Sequence, residues 1–203
     1  MLAFIKKSLA AGLAISIGGL AFLSVRGGPI GSILFSIGLI TVCLFELNLF
    51  TGKLPYLFVN DKKFALELVL MLLLNAAAAI GIGFAVRYIE QPVIEYAKEI
   101  SAAKLSKSTV AIALSSVFCN LLIYIAVEAW KRFRNVIGIT VIVLCVTVFI
   151  LIGAEHCIAD LFYFSVSGLL FTKCGLGFML FCIAGNLLGG MLGHFLLGKQ
   201  GEE

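Results

Sequence analysis

Six apolar runs occupy most of this chain, and they restrict it to very few folds. They cover about residues 8–25, 30–47, 61–86, 109–129, 136–152 and 175–197. A bilayer core of about 30 Å needs roughly 20 apolar residues per helical crossing, so six crossings account for most of the 203 residues. With 62% hydrophobic and 13% charged residues and a mean hydropathy of +1.14, the chain is far more apolar than a soluble domain of this length. The reading is an all-α, multi-pass membrane protein.

Taken in order, Lys6-Lys7 precede the first run like the basic start of a signal peptide. No small-x-small cleavage site follows, and Gly12, Gly18 and Gly19 suit close helix packing, so this run counts as the first span. The second run meets Asn48-Leu49-Phe50-Thr51-Gly52-Lys53, polar enough to end or break it. Residues 87–108, with Glu90, Pro92, Glu95, Lys98, Glu99, Lys104 and Lys107, read as one long polar connection. Trp130-Lys131-Arg132-Phe133-Arg134 closes the fourth run as a membrane–water boundary does, and the sixth ends at Gly198-Lys199. Cations are in excess on the side of both termini, which puts both ends in the cytoplasm. The formal charge of +4 is too small and dispersed for nucleic acid, and the six cysteines lack CxxC spacing, so they read as small buried hydrophobes.

Gly153-Ala154-Glu155-His156-Cys157-Ile158-Ala159-Asp160 is the exception to the apolar pattern. Ionisable side chains at membrane depth cost about 3 kcal/mol or more on insertion and therefore mark a functional site. Gly153 also offers a helix break. Such a break is tolerated only where the freed backbone faces protein or a water-filled cavity. The stretch is thus read as one wall of a pore.

The two halves resemble each other. Lys7-Ser8 opens the first run as Lys107-Ser108 opens the fourth, and Thr51 in the broken second span falls opposite His156 in the broken fifth. The ten residues from Asn75 to Phe84 align with those from Asn186 to Phe195. Three spans per half is an odd number, so the second half lies inverted, and matched broken helices point to a permeation site near the midplane. The expected organisation is one channel domain over 1–203, with repeat 1 about 1–88, a linker about 89–107 and repeat 2 about 108–199.

On these residues the chain resembles the formate/nitrite transporter family of small-anion channels. Leu49-Phe50-Thr51-Gly52 is similar to that family's Leu-Phe-Thr-Gly loop, and residues 153–160 to its Gly-Phe-Glu-His-Ser-Ile-Ala-Asn stretch. Cys119-Asn120 and Gly185-Asn186-Leu187-Leu188-Gly189-Gly190 match its Cys-Asn and Gly-Asn-x-x-Gly-Gly segments. The resemblance implies an aquaporin-like protomer in a homopentamer, in a prokaryotic inner (cell) membrane, without cofactor or metal. It implies that His156 and Thr51 face each other at the pore centre, with Glu155 and Asn186 nearby and Lys104 in a vestibule. Phe35, Leu39, Leu49 and Phe50 would then line the cytoplasmic narrowing and Phe149 the opposite one. The chain departs from the family pattern at Glu46-Leu47-Asn48, at Ile123-Tyr124, and at Asp160, where Asn is usual. These departures bear on substrate and gating.

The chemistry follows without the family. A bare anion in an apolar ring loses hydration worth several kcal/mol or more, and a weak acid escapes that loss by taking up a proton. His156 titrates nearest neutrality and could hydrogen-bond the anion or protonate it, while Lys104 would concentrate anions at the mouth by a salt-sensitive field. Formate is the expected substrate, with nitrite or hydrosulfide as close alternatives and a neutral-solute conduit as the other reading of the same architecture. An intramembrane enzyme using His156, Glu155 and Asp160 is disfavoured, since no HExxH motif or activated nucleophile accompanies them. Plainer roles also exist. His156 could bond a freed carbonyl, Glu155 could orient amides of the broken helix, Asp160 could cap the helix that follows, and Lys104 and Lys107 could be solvated.

Overall fold

A computed structural model describes residues 1–89 and 91–198. Glu90 and Lys199, placed above in the linker and at the end of the last run, lie outside the described residues. All regular structure among these residues is helical. The helices are α1 (Leu2–Ser24), α2 (Gly28–Leu44), α3 (Phe50–Lys53), α4 (Lys62–Val86), α5 (Gln91–Leu105), α6 (Thr109–Phe133), α7 (Val136–Leu151), α8 (Cys157–Ser167) and α9 (Lys173–Leu197), with a 3-10 turn at Leu54–Val59.

Local chemistry sets these boundaries. α1 begins upstream of the apolar run because nothing in its first turns opposes a helix. It ends where Arg26, Gly27 and Gly28 take positive φ, and Pro29 then opens α2. Side-chain oxygens cap later starts: Asp61 accepts from Phe64 N–H, Ser108 from Ala111 N–H and Thr172 from Gly175 N–H. Four helices, α1, α4, α6 and α9, are long and apolar enough to cross a membrane, at 23 to 25 residues. α2 and α7 have 17 and 16 residues, and each is followed by a break and a short helix, α3 or α8.

α1 packs on α2 and α4, and α6 packs on α7 and α9. α2 meets α7, α4 meets α8, and α9 meets the 3-10 turn. Small residues allow close approach at several of these crossings. A Cβ built on Gly12 would collide with Asn75 O, one on Gly185 with Ala113 O, and one on Gly189 with Val117 O. All eleven residues of α8 are buried, which places this short helix inside the protein and satisfies the rule that broken backbone must avoid lipid.

The linker expected above as a polar connection contains a helix. Val93, Ile94, Ala97 and Ser101 share the buried face of α5, whereas Glu95, Lys98 and Glu99 are exposed. That i, i+4, i+8 pattern is the amphipathic signature. Arg26 pairs with Glu99 at 2.9 Å and lies 5.1 Å from the Tyr96 ring centre, holding α5 against the α1–α2 turn. This position brings the end of α5, with Lys104, over the second break.

The distribution of polarity is the reverse of a soluble protein's. Leu66, Val69, Leu73, Leu114, Phe118, Leu180 and Leu188 face outward, while Asn75, Asn120, Glu155, His156, Asp160 and Asn186 are buried.

Candidate functional site

Each break frees backbone groups, and an asparagine from a neighbouring long helix binds them. At the first break, Asn75 Oδ1 accepts from Phe50 N–H at 2.8 Å, while its Nδ2 donates to Asn48 O and to Ser8 O of α1. At the second, Asn186 Oδ1 accepts from Cys157 N–H at 2.9 Å, while its Nδ2 donates to Glu155 O and to Ser116 O of α6. Both amides are fully buried, and each satisfies the start of one short helix and one carbonyl before it. Gly153, at φ +70, makes the turn that brings the chain off α7.

The breaks meet at His156 and Thr51. Both are buried, with Thr51 Oγ1 2.9 Å from His156 Nε2. Asn120 donates to Thr51 O at 3.2 Å and fixes the first break from the side of α6. His156 is also the N-cap of α8, its Nδ1 accepting from Ala159 N–H at 3.2 Å. An Nδ1 that accepts carries no proton, so this network assigns the neutral tautomer with hydrogen on Nε2. Nε2–H then donates to Thr51, and the threonine hydroxyl keeps its own hydrogen for another acceptor. The sequence reading gave the cap to Asp160, but the ring of His156 fills that role.

Asp160 instead faces Lys104. Its Oδ1 lies 2.9 Å from Lys104 Nζ, although not in hydrogen-bonding alignment, so the contact is Coulombic. Its Oδ2 is 3.6 Å from Cys182 Sγ. Glu155 does not orient amides, the task Asn186 performs. It is fully buried and accepts from Lys104 and, at 2.5 Å, from Lys107. Lys107 also donates to Gly153 O at 2.7 Å, so neither lysine is a freely solvated loop charge. Burial by itself disfavours the Lys104 ammonium, but Asp160 and Glu155 outweigh it and hold its pKa above the ordinary lysine value.

Phe149 lies against His156, ring centres 6.2 Å apart and 22° from parallel. Phe35 meets Phe149 edge-on at 5.9 Å. The two phenyl rings therefore form one cluster on the Lys104 side, a correction to the expectation that placed Phe35 at the opposite narrowing. Leu39 is one helical turn further along α2, about 6 Å away, enough to separate the two levels. Leu39, Leu49 and Phe50 are all buried. A cavity of about 230 Å³ lies on the Lys104 side, lined by Phe35, Phe149, Lys104, Lys107, Glu155, His156 and Asp160. On the other side a cavity of about 310 Å³ is lined by Lys7, Asn48, Leu49, Lys53, Trp130 and Lys131. His156 and Thr51 thus stand between two polar-mouthed cavities.

Sequence reading missed the positions of Lys107 and Asp160 and the function of Asn75 and Asn120. Lys104 closes α5 and Lys107 lies in the turn just beyond it, so both ammonium groups reach Glu155.

Buried polar groups at two helix breaks, inside an apolar helical shell, define an integral multi-pass membrane protein of the transport class. The formate/nitrite transporter profile matches residues 1–197, and the chain belongs to that family. It is similar to a solved structure described as an FNT family ion channel, at 20% identity and a TM-score of 0.83, covering 94% of this chain and 86% of that one. A pentameric formate channel with formate bound aligns at 22% identity and a TM-score of 0.81, covering 94% and 93%. These likenesses establish the shared fold. No curated protein matches the chain.

Proposed function

We propose that this protein is a channel for a small monovalent anion of a weak acid, formate or a near analogue, carried past His156 together with a proton. The observation that supports this most directly is the His156–Thr51 contact at 2.9 Å between two cavities. An anion entering from the Lys104 side meets ammonium groups first and phenyl rings next, and it reaches an Nε2–H that can replace its lost hydration. Handing over that proton requires His156 to take one up at Nδ1, which means releasing Ala159 N–H. Proton transfer is therefore tied to the cap of α8. Nitrite and hydrosulfide have the same charge and could follow the same path.

The matching asparagine networks and matching packing of α1–α2–α4 and α6–α7–α9 support six spans built as two inverted repeats in one channel domain. The repeats run about 1–88 and 108–199, joined by the linker helix. The cation excess favours cytoplasmic termini, which makes the Lys104 cavity the outer mouth, and the family resemblance favours a prokaryotic inner (cell) membrane. The pentameric neighbour supports a homopentamer.

Stopped-flow flux in proteoliposomes tests the function, comparing formate, nitrite, hydrosulfide and glycerol at several external pH values. Formate influx should rise as the outside is acidified and should exceed glycerol flux at every pH. Glycerol flux equal to formate flux, indifferent to pH and voltage, would replace this reading with a neutral-solute conduit.

A further inference from the structure

The Lys104-side cavity carries two ammonium groups and two carboxylates in close contact. Lys107 binds Glu155 at 2.5 Å, and Lys104 sits between Glu155 and Asp160. Glu155 and Asp160 have exposures of 0% and 1%, so water screens neither of them. With every group ionised the cluster sums to zero: one carboxylate for each ammonium. Without the Asp160 charge it would sum to +1. We propose that Asp160 sets anion capture in this channel: its carboxylate cancels the field of the vestibule, and a proton on Asp160 turns the mouth into an anion collector. The inference rests on the anion-channel reading and concerns the same small monovalent substrate.

The surroundings leave Asp160 with one cationic partner. α5 contributes Lys104, and the break contributes Glu155, a like charge, and the neutral ring of His156; Lys107, just beyond α5, is bound to Glu155 and Gly153 O. On its own helix stand Cys157 and Tyr163, and across from it are Cys119 of α6 and Cys182 of α9. α1 and α4 meet α8 at Gly19 and Gly83, which bring no charge. Glu155 has two lysines and Asp160 shares one, so Asp160 is the more weakly paired carboxylate. An entering anion must therefore compete with Asp160 for Lys104 while the carboxylate is charged. Once Asp160 is protonated, Lys104 keeps only Glu155 as a partner, and the net +1 of the cluster acts on the anion.

The physical consequence is a salt profile. For an anion still hydrated at the mouth, across ~7 Å of water, one unit charge is worth about RT, or about threefold in local anion concentration, and salt screens it. Formate uptake into proteoliposomes is measured at neutral and acid pH, with ionic strength set by an impermeant salt, for wild type and Asp160→Asn. At neutral pH, wild-type uptake should be nearly insensitive to salt. Asp160→Asn should be about threefold faster at low salt, and the difference should vanish at high salt. On acidification the wild type should acquire the salt dependence of the variant. A merely structural role for Asp160 would lower uptake equally at all ionic strengths. Identical salt profiles for the two proteins at neutral pH overturn the proposal. Should Asp160→Asn fail to reconstitute, the wild type decides, and a salt response unchanged between neutral and acid pH is equally fatal. A wild type without formate flux at any pH would remove the channel reading itself, whereas flux with unaltered salt profiles removes only the role of Asp160.

Discussion

His156 has two tasks on two nitrogens, and substitutions can separate them. Nδ1 caps α8, and Nε2–H reaches Thr51. His156→Phe removes both, so formate flux should fall by tenfold or more and stability by about 1 kcal/mol for the lost cap. His156→Asn keeps an acceptor suited to the N-cap and withdraws the long Nε2 reach. Its flux should fall as far while its melting temperature in detergent stays near wild type. Near-wild-type flux from either variant would remove His156 from the pathway. Asn186→Ala has a different signature, because it leaves Cys157 N–H and Glu155 C=O without their partner and cuts the tie to Ser116 C=O of α6. At about 1–3 kcal/mol per buried unsatisfied group, the variant should lose several kcal/mol, read as a large drop in thermal stability. At this scale His156, Thr51 and Asn186 were legible as polar residues in apolar runs. Lys104 was legible only as a cation at a mouth. Its two carboxylate partners were not, since the side of α8 on which Asp160 emerges depends on how the break at residues 152–156 rotates that helix.

Among the elements, the breaks were readable and their supports were not. Gly153 and Thr51-Gly52 marked where helices would be interrupted. The asparagines that bind the freed amides lie 25 residues from Phe50 and 29 from Cys157, on other helices. α5 escaped the sequence reading because its charged residues dominate a segment whose buried face has only four residues, one of them Ser101. The contact between α6 and α9 yields a further prediction. A Cβ on Gly189 would strike the backbone of Val117, whereas Cβ atoms on Gly81 and Gly177 would meet nothing within 4 Å. Gly189→Val should cost about 1–3 kcal/mol or more, since backbone must shift, and should sharply reduce the yield of folded protein. Gly81→Ala and Gly177→Ala should behave as wild type in the same fluorescence size-exclusion assay. Equal yields for all three would mean that α6 and α9 are not in close contact.

For the molecule as a whole, the polar interior and apolar exterior follow from the medium. Within a bilayer, apolar faces gain nothing by turning inward, and association relies on close packing and interhelical hydrogen bonds. The proposed pentamer should appear as a protein mass of five 21.8 kDa chains by light scattering corrected for detergent, and a stable monomer would exclude it. The number of apolar runs, their membrane character and the place of both interruptions were determined by the sequence alone. Hydrophobicity accumulates residue by residue along a chain and needs no partner to take effect. Only tertiary structure decided that Phe35 belongs with Phe149, that asparagines hold the broken ends, and that Asp160 faces Lys104. Those pairings depend on the rotation and approach of helices tens of residues apart, where a turn of one helix by a single residue, about 100°, exchanges one neighbour for another.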